Sequence, residues 1–133
     1  MVLLYKWMVT IGTRIVIADN TGARLGSCIK VLEKGNQMAP AQVGDKIVIA
    51  IKRAVPTKKK LRIKEHDVRV GILVRRTVAI RRPEGLIVSF VDNAAILIDA
   101  RLNPLGTRII GPVPHELRLR KRMRILLLAR CVV

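Results

Sequence analysis

Apolar and polar residues alternate over several short stretches of this chain, and the alternation is strand-like. Val68, Val70, Ile72 and Val74 recur at period two, interleaved with Arg69, Gly71, Leu73 and Arg75. That spacing predicts a strand over Val68–Arg76 with one face buried. Ile47, Ile49 and Ile51 alternate with Lys46, Val48, Ala50 and Lys52, predicting a second strand over Lys46–Lys52. Arg14–Ala18, Ser27–Leu32, Leu86–Phe90 and Ala94–Ile98 are shorter runs of the same kind. Between them lie turn signals: Asp19-Asn20-Thr21-Gly22, Gly35-Asn36 with Pro40, Val43-Gly44-Asp45, Pro83-Glu84-Gly85 and Asn103-Pro104-Leu105-Gly106. Thr107–Ile110 reads as a short extended piece, and Gly111-Pro112-Val113-Pro114 as a redirection of the chain. From Pro114 the pattern becomes helical, with Glu116 in the first turn, and a second short helix is expected over Met123–Ala129. The expectation is a mainly β fold: a small barrel of five or six strands with basic loops and a C-terminal appendage of two short helices. It divides the chain into residues 1–13 (an extension and first strand), 14–113 (the barrel) and 114–133 (the helical region). Ile47, Ile49, Ile51, Val70, Ile72, Val74, Ile96 and Ile98 are assigned to the barrel interior.

Length and composition fit one such domain. A chain of 133 residues with 50% hydrophobic content can build a core, burying roughly two thirds of its unfolded surface. Charge changes the picture more. Lys and Arg number 26 against 9 Asp and Glu, a net +17. That excess attracts polyanions, nucleic acid first and an anionic membrane second. No apolar run reaches the ~18 residues of a spanning helix, and Met1–Trp7 is too short for a signal peptide. Cys28 and Cys131 stand far apart with no paired motif, so they read as small hydrophobes in a reducing compartment.

Catalysis finds no support. His66 and His115 are the only histidines, and no nucleophile triad, metal-binding pair or phosphate loop is present. The carboxylates fall mostly in turns, so neither an enzyme, a cofactor nor a metal site is expected. Single-strand binding through base stacking needs aromatic platforms, and only Tyr5, Trp7 and Phe90 are available. What remains is recognition of phosphates and of the shape of a folded RNA. One basic run is usually a solvated face, but here the cations cluster. Lys52, Arg53 and Lys58, Lys59 and Lys60 lie before the Val68–Arg76 strand, and Arg75, Arg76, Arg81 and Arg82 after it. These nine are the candidate RNA anchors.

Ala18-Asp19-Asn20-Thr21-Gly22-Ala23, Cys28-Ile29-Lys30-Val31 and Val43-Gly44-Asp45 occur in that order. They are followed by Arg81-Arg82-Pro83, Phe90, Asn93-Ala94-Ala95, Asn103-Pro104, Gly106-Thr107-Arg108-Ile109, Gly111-Pro112 and Glu116-Leu117-Arg118. In this combination, from about Met8 onward, the chain resembles the family of the fourteenth protein of the large ribosomal subunit. The resemblance implies a closed five-stranded barrel bound to large-subunit rRNA at the face that meets the small subunit. It also implies that Thr107, Arg108 and Arg124 form an exposed patch. There, a neighbouring large-subunit protein, small-subunit rRNA at an intersubunit bridge, and the ribosome silencing factor are met. Local pairing of Arg108 with Asp99 or Glu116 is the competing expectation. The chain departs from the family at Glu84 (usually Asp), at His66 (usually Gly, which puts the turn before Val68 in question) and at Met1–Trp7, which precede the usual start. Its tail is richer in Arg and Leu, which points to an organellar ribosome, mitochondrial before plastid or bacterial. The alternative class is a free-standing basic barrel that binds RNA or an anionic surface transiently.

Overall fold

The computed structural model describes residues 8–32, 35, 39–55 and 63–133. Strand β1 (Arg14–Ile17) turns through Asp19–Gly22 into β2 (Ala23–Val31), its antiparallel neighbour. β3 (Lys46–Ala54) pairs with β2 and β4 (Val68–Arg75) pairs with β3, both antiparallel. β7 (Ala94–Leu97) runs antiparallel to β4, and its parallel pairing with β1 closes a five-stranded barrel. Closure leaves the barrel sheet with no free edge. Before Val68, His66 takes φ 71°, so it adopts the left-handed backbone that a glycine would supply there.

The interior is built from all five strands. Ile15 and Ile17, Cys28 and Val31, Ile47, Ile49 and Ile51, Leu73, and Ala95 and Leu97 form one buried cluster. The β3 assignment therefore holds. The phase assigned to β4 and β7 does not: Val70, Ile72, Val74, Ile96 and Ile98 point out of the barrel into a second apolar cluster. Its other wall is the C-terminal region, through Ile109, Val113, Leu117, Ile125 and Leu126. β4 is thus buried on both faces from Gly71 onward. Its apolar alternate, Leu73, marks the inner face, and Ile72 and Val74 the outer one.

Between β4 and β7 the chain leaves the barrel as a small hairpin, β5 (Ile80–Arg81) and β6 (Ile87–Val88), turned at Pro83–Gly85. The expected Leu86–Phe90 strand is only this two-residue arm. Leu86 and Ile87 stay exposed, while Ile80 on the other arm packs against the second apolar cluster.

The C-terminal region departs further from expectation. Gly111-Pro112 does not redirect the chain but lies inside β8 (Ile109–Val113), with Gly111 at φ 88° where the register shifts. That is a bulge. Two short helices follow, α1 (Glu116–Leu119) and α2 (Met123–Leu128). The last stretch is a strand rather than helix: β9 (Ala129–Val132) runs parallel to β8. Parallel neighbours need a crossover of a dozen or more residues, and residues 114–128 supply it. Among the described residues no helix is long and apolar enough to cross a membrane.

Candidate nucleic-acid interface

Register separates the two groups of candidate anchors. Ala23 faces Ala54 and Val68 faces Ala50, so Lys52 and Arg53 lie at the barrel end marked by the β1–β2 turn. Arg75 faces Ala94 at the other end of β4, roughly 23 Å away for a strand of this length. The groups occupy opposite ends of the barrel. Lys52 and Arg53 are exposed, with no carboxylate partner among the described residues. Lys58, Lys59 and Lys60 fall outside the described residues.

The four arginines at the far end divide into two kinds. Arg75 is buried, 7% exposed, and donates from Nη1 to the carbonyls of Ile110 (2.9 Å) and Pro112 (3.4 Å). Its Nε lies 3.1 Å from Asp92 Oδ1, close enough for an ion pair though not aligned for a hydrogen bond, while Nη2 donates to Asp92 Oδ2 at 3.3 Å. Arg75 thus ties β4 to the β8 bulge. Gly111 makes room for it, since a Cβ there would overlap Arg75 Nη1. Arg82 donates to both oxygens of Glu116 (2.5 and 3.2 Å) and to the Val133 oxygen (2.8 Å), tying the hairpin to α1. The hydrogen bond to Glu116 raises the Arg82 pKa. Burial pushes Glu116 up, but the Arg82 hydrogen bond and charge outweigh it, leaving the carboxyl below its ordinary value. Arg81 is exposed. Arg76 is half-buried, its Nε shielded and without a partner, and burial lowers its pKa.

The basic tail divides in the same way. Arg120 pairs with buried Asp45, and Arg122 donates from Nε to the Gly44 carbonyl at 3.3 Å, so both hold the tail on the turn before β3. Arg118, Lys121, Arg124 and Arg130 stay exposed. Arg101, Lys121, Arg122 and Arg124 converge with Leu102 on a cleft of about 230 Å³ that no carboxylate lines among the described residues. Leu102 and Lys121 hold φ values of 65° and 60°, unusual for side chains of that size.

Arg124 therefore borders the turn that leads to Thr107 and Arg108. Asn20 fixes that corner: its Oδ1 accepts the amides of Thr107 (2.8 Å) and Arg108 (3.3 Å), and its Nδ2 donates to Thr107 Oγ1 (2.8 Å). Gly106 is there for proximity, since a Cβ would come within 2.7 Å of Asn20 Oδ1. Beneath it, Asp19 is buried, which raises its pKa even though Thr21 and the Leu97 amide donate to it. The Arg108 side chain pairs with neither Asp99 nor Glu116: Asp99 accepts the amides of Arg101 and Asn103, and Glu116 belongs to Arg82. Asn20, Asp92 and Glu116 are positioning residues whose partners sequence reasoning missed. Asn20 stood out in a turn motif and Glu116 as a first-turn acid, but Asp92 and Glu116 meet their arginines across 17 and 34 residues, which no local pattern announces.

What the arrangement offers is a rigid barrel whose acids are largely consumed internally, leaving surplus cations at both ends. It has the chemistry of a polyanion-binding surface. The family model described as ribosomal protein L14p/L23e matches residues 8–133 of this chain.

Proposed function

Because the chain belongs to the ribosomal protein L14p/L23e family, we propose that its surplus cations grip large-subunit rRNA while its Thr107–Arg108 corner faces the small subunit. The family is a structural, non-enzymatic one of the large ribosomal subunit, and its members work on the ribosome, among rRNA and other ribosomal proteins. The observation that carries the finer reading is the split among the arginines. Arg75 and Arg82 are neutralised inside the fold, so they position the surface. Arg76, Arg81, Lys52 and Arg53 lack carboxylate partners among the described residues and are the contacts, with Lys58, Lys59 and Lys60 joining them on sequence grounds. A salt-dependent filter-binding titration tests this. Arg81→Glu should flatten the salt slope by up to roughly 0.7–0.9 per lost phosphate contact, with unfolding unchanged. An unchanged slope removes Arg81 from the site.

Thr107, Arg108 and Arg124 make the second surface, for small-subunit rRNA, a neighbouring large-subunit protein or the ribosome silencing factor. Support comes from the Asn20 clamp, which holds the backbone of the corner while the exposed Arg108 side chain has no carboxylate partner among the described residues. In sucrose gradients of reconstituted subunits, Thr107→Ala with Arg108→Glu should enter large subunits but join small subunits poorly. Loss of the variant from the large subunit would make the corner an rRNA anchor instead. The Arg- and Leu-rich tail supports a mitochondrial ribosome, which imaging of the tagged chain tests. A free-standing role would leave the native protein at the top of a lysate gradient rather than with large subunits through a high-salt wash.

A further inference from the structure

A cleft of about 280 Å³ opens where the β5–β6 hairpin meets α1. Its size, just under the ~300 Å³ at which small-molecule pockets begin, suits one small ligand rather than a helix of RNA. Its lining is divided. Val43, Ile80 and Leu119 supply an apolar wall, and Arg76 and Arg81 supply charge. The other charged groups there are already neutralised, Glu116 by Arg82 and Arg120 by Asp45. The cleft therefore holds two surplus guanidinium groups, one of them half-buried with a shielded, unpartnered Nε. Guanidinium groups without a carboxylate partner among the described residues can form charge-assisted hydrogen bonds to an anionic ligand. Leu119 is 79% exposed on a short helix, an apolar surface with nothing over it among the described residues.

We propose that this cleft seats a single unstacked nucleotide of the bound RNA, its phosphate on Arg76 and Arg81 and its base against Ile80 and Leu119. The inference rests on the rRNA-binding reading and specifies its ligand: an extruded nucleotide, such as a bulge, rather than paired backbone. Single-strand elements are where proteins reach base faces in RNA, because paired bases are hidden in the helix. A phosphate alone would use the cations and leave the apolar wall in water. An acidic side chain of a neighbouring protein would do the same.

Nuclear magnetic resonance of the full chain, observing arginine Nε–H and methyl signals, tests it. The probes are adenosine monophosphate, uridine monophosphate, inorganic phosphate and a glutamate-rich peptide. Both nucleotides should shift Arg76 Nε–H and the Ile80 and Leu119 methyls, and the apolar area the base buries against that aliphatic wall should make them bind at least about fivefold more tightly than phosphate. Arg76→Met should abolish those shifts. Leu119→Ser, at an exposed position that leaves the core untouched, should reduce nucleotide affinity to that of phosphate. Equal affinity for phosphate with silent methyls, or tighter binding of the peptide, overturns the proposal. So does an unmoved Arg76 signal. Binding of large-subunit rRNA is measured in parallel: if it persists while nucleotides miss the cleft, only this inference falls. If rRNA does not bind either, the wider reading falls with it.

Discussion

Gly111→Ala tests whether the C-terminal region is locked to the barrel through Arg75. Two costs arise together. Alanine at φ 88° meets left-handed strain of about 1–2 kcal/mol. Its Cβ also overlaps Arg75 Nη1, so the guanidinium must leave the Ile110 and Pro112 carbonyls; counting only the shorter bond, to Ile110 at 2.9 Å, a lost charge-assisted hydrogen bond is worth about 1.5–3 kcal/mol. The sum, about 2.5–5 kcal/mol, is a large part of the ~5–15 kcal/mol that holds a domain of this kind together. Urea unfolding followed by circular dichroism, at high salt to suppress self-repulsion, reads it. The decisive comparison uses Arg75→Met. Methionine removes the guanidinium that Gly111 accommodates, so in that background Gly111→Ala should cost only its backbone strain. The double-mutant cycle should show a coupling of about 1.5–3 kcal/mol. Equal cost of Gly111→Ala in both backgrounds would refute the lock, since the steric and electrostatic parts would then be unconnected.

Three further outcomes follow from burial and charge. Ile72→Ala and Leu73→Ala should each cost roughly 2–5 kcal/mol, because β4 is buried on both faces; a silent Leu73→Ala in thermal unfolding would place the barrel interior elsewhere. Glu116 has a lowered pKa in the fold, so its pairing with Arg82 stabilises above the ordinary carboxylate range and is lost as pH falls through the lowered value. The stability difference between the parent and Arg82→Met should therefore shrink on acidification below about pH 4.5, and a difference independent of pH would discount the pair. Burial pushes the Cys28 thiol up to about 11, whereas Cys131 is exposed on β9. A maleimide should therefore label only Cys131 in the native protein, and modification of both at equal rates would contradict the buried position of Cys28.

Much of the barrel was legible because β3 obeys a single rule: Ile47, Ile49 and Ile51 face inward and their neighbours face out. β4 was found but its phase was not. Its alternation supposes one wet face, and here residues more than 30 positions later cover that face. The same non-locality hid the roles of Arg75 and Arg82. A cationic run looks alike whether it meets phosphate or an internal carboxylate, and neither Asp92 nor Glu116 carries a local sign of its partner. β9 was missed because Ala-Arg-Cys-Val has no strand signature of its own. It is extended because β8 offers it a ladder.

The parallel seam between β1 and β7 has a consequence for the order in which the protein comes into being. Ile17 has to wait for Ala95, 78 residues downstream (95 minus 17), before its second neighbour exists. During synthesis the first four strands can form only an open, curling sheet, with both edges bare and its apolar concavity in water. Contacts this distant along the chain slow folding, and bare edges invite mispairing. Over the same interval the nascent chain is already a polycation, emerging beside a large excess of RNA. Whether it reaches the closed barrel before that RNA captures it is a race, and the length of the loop between these two strands sets the handicap.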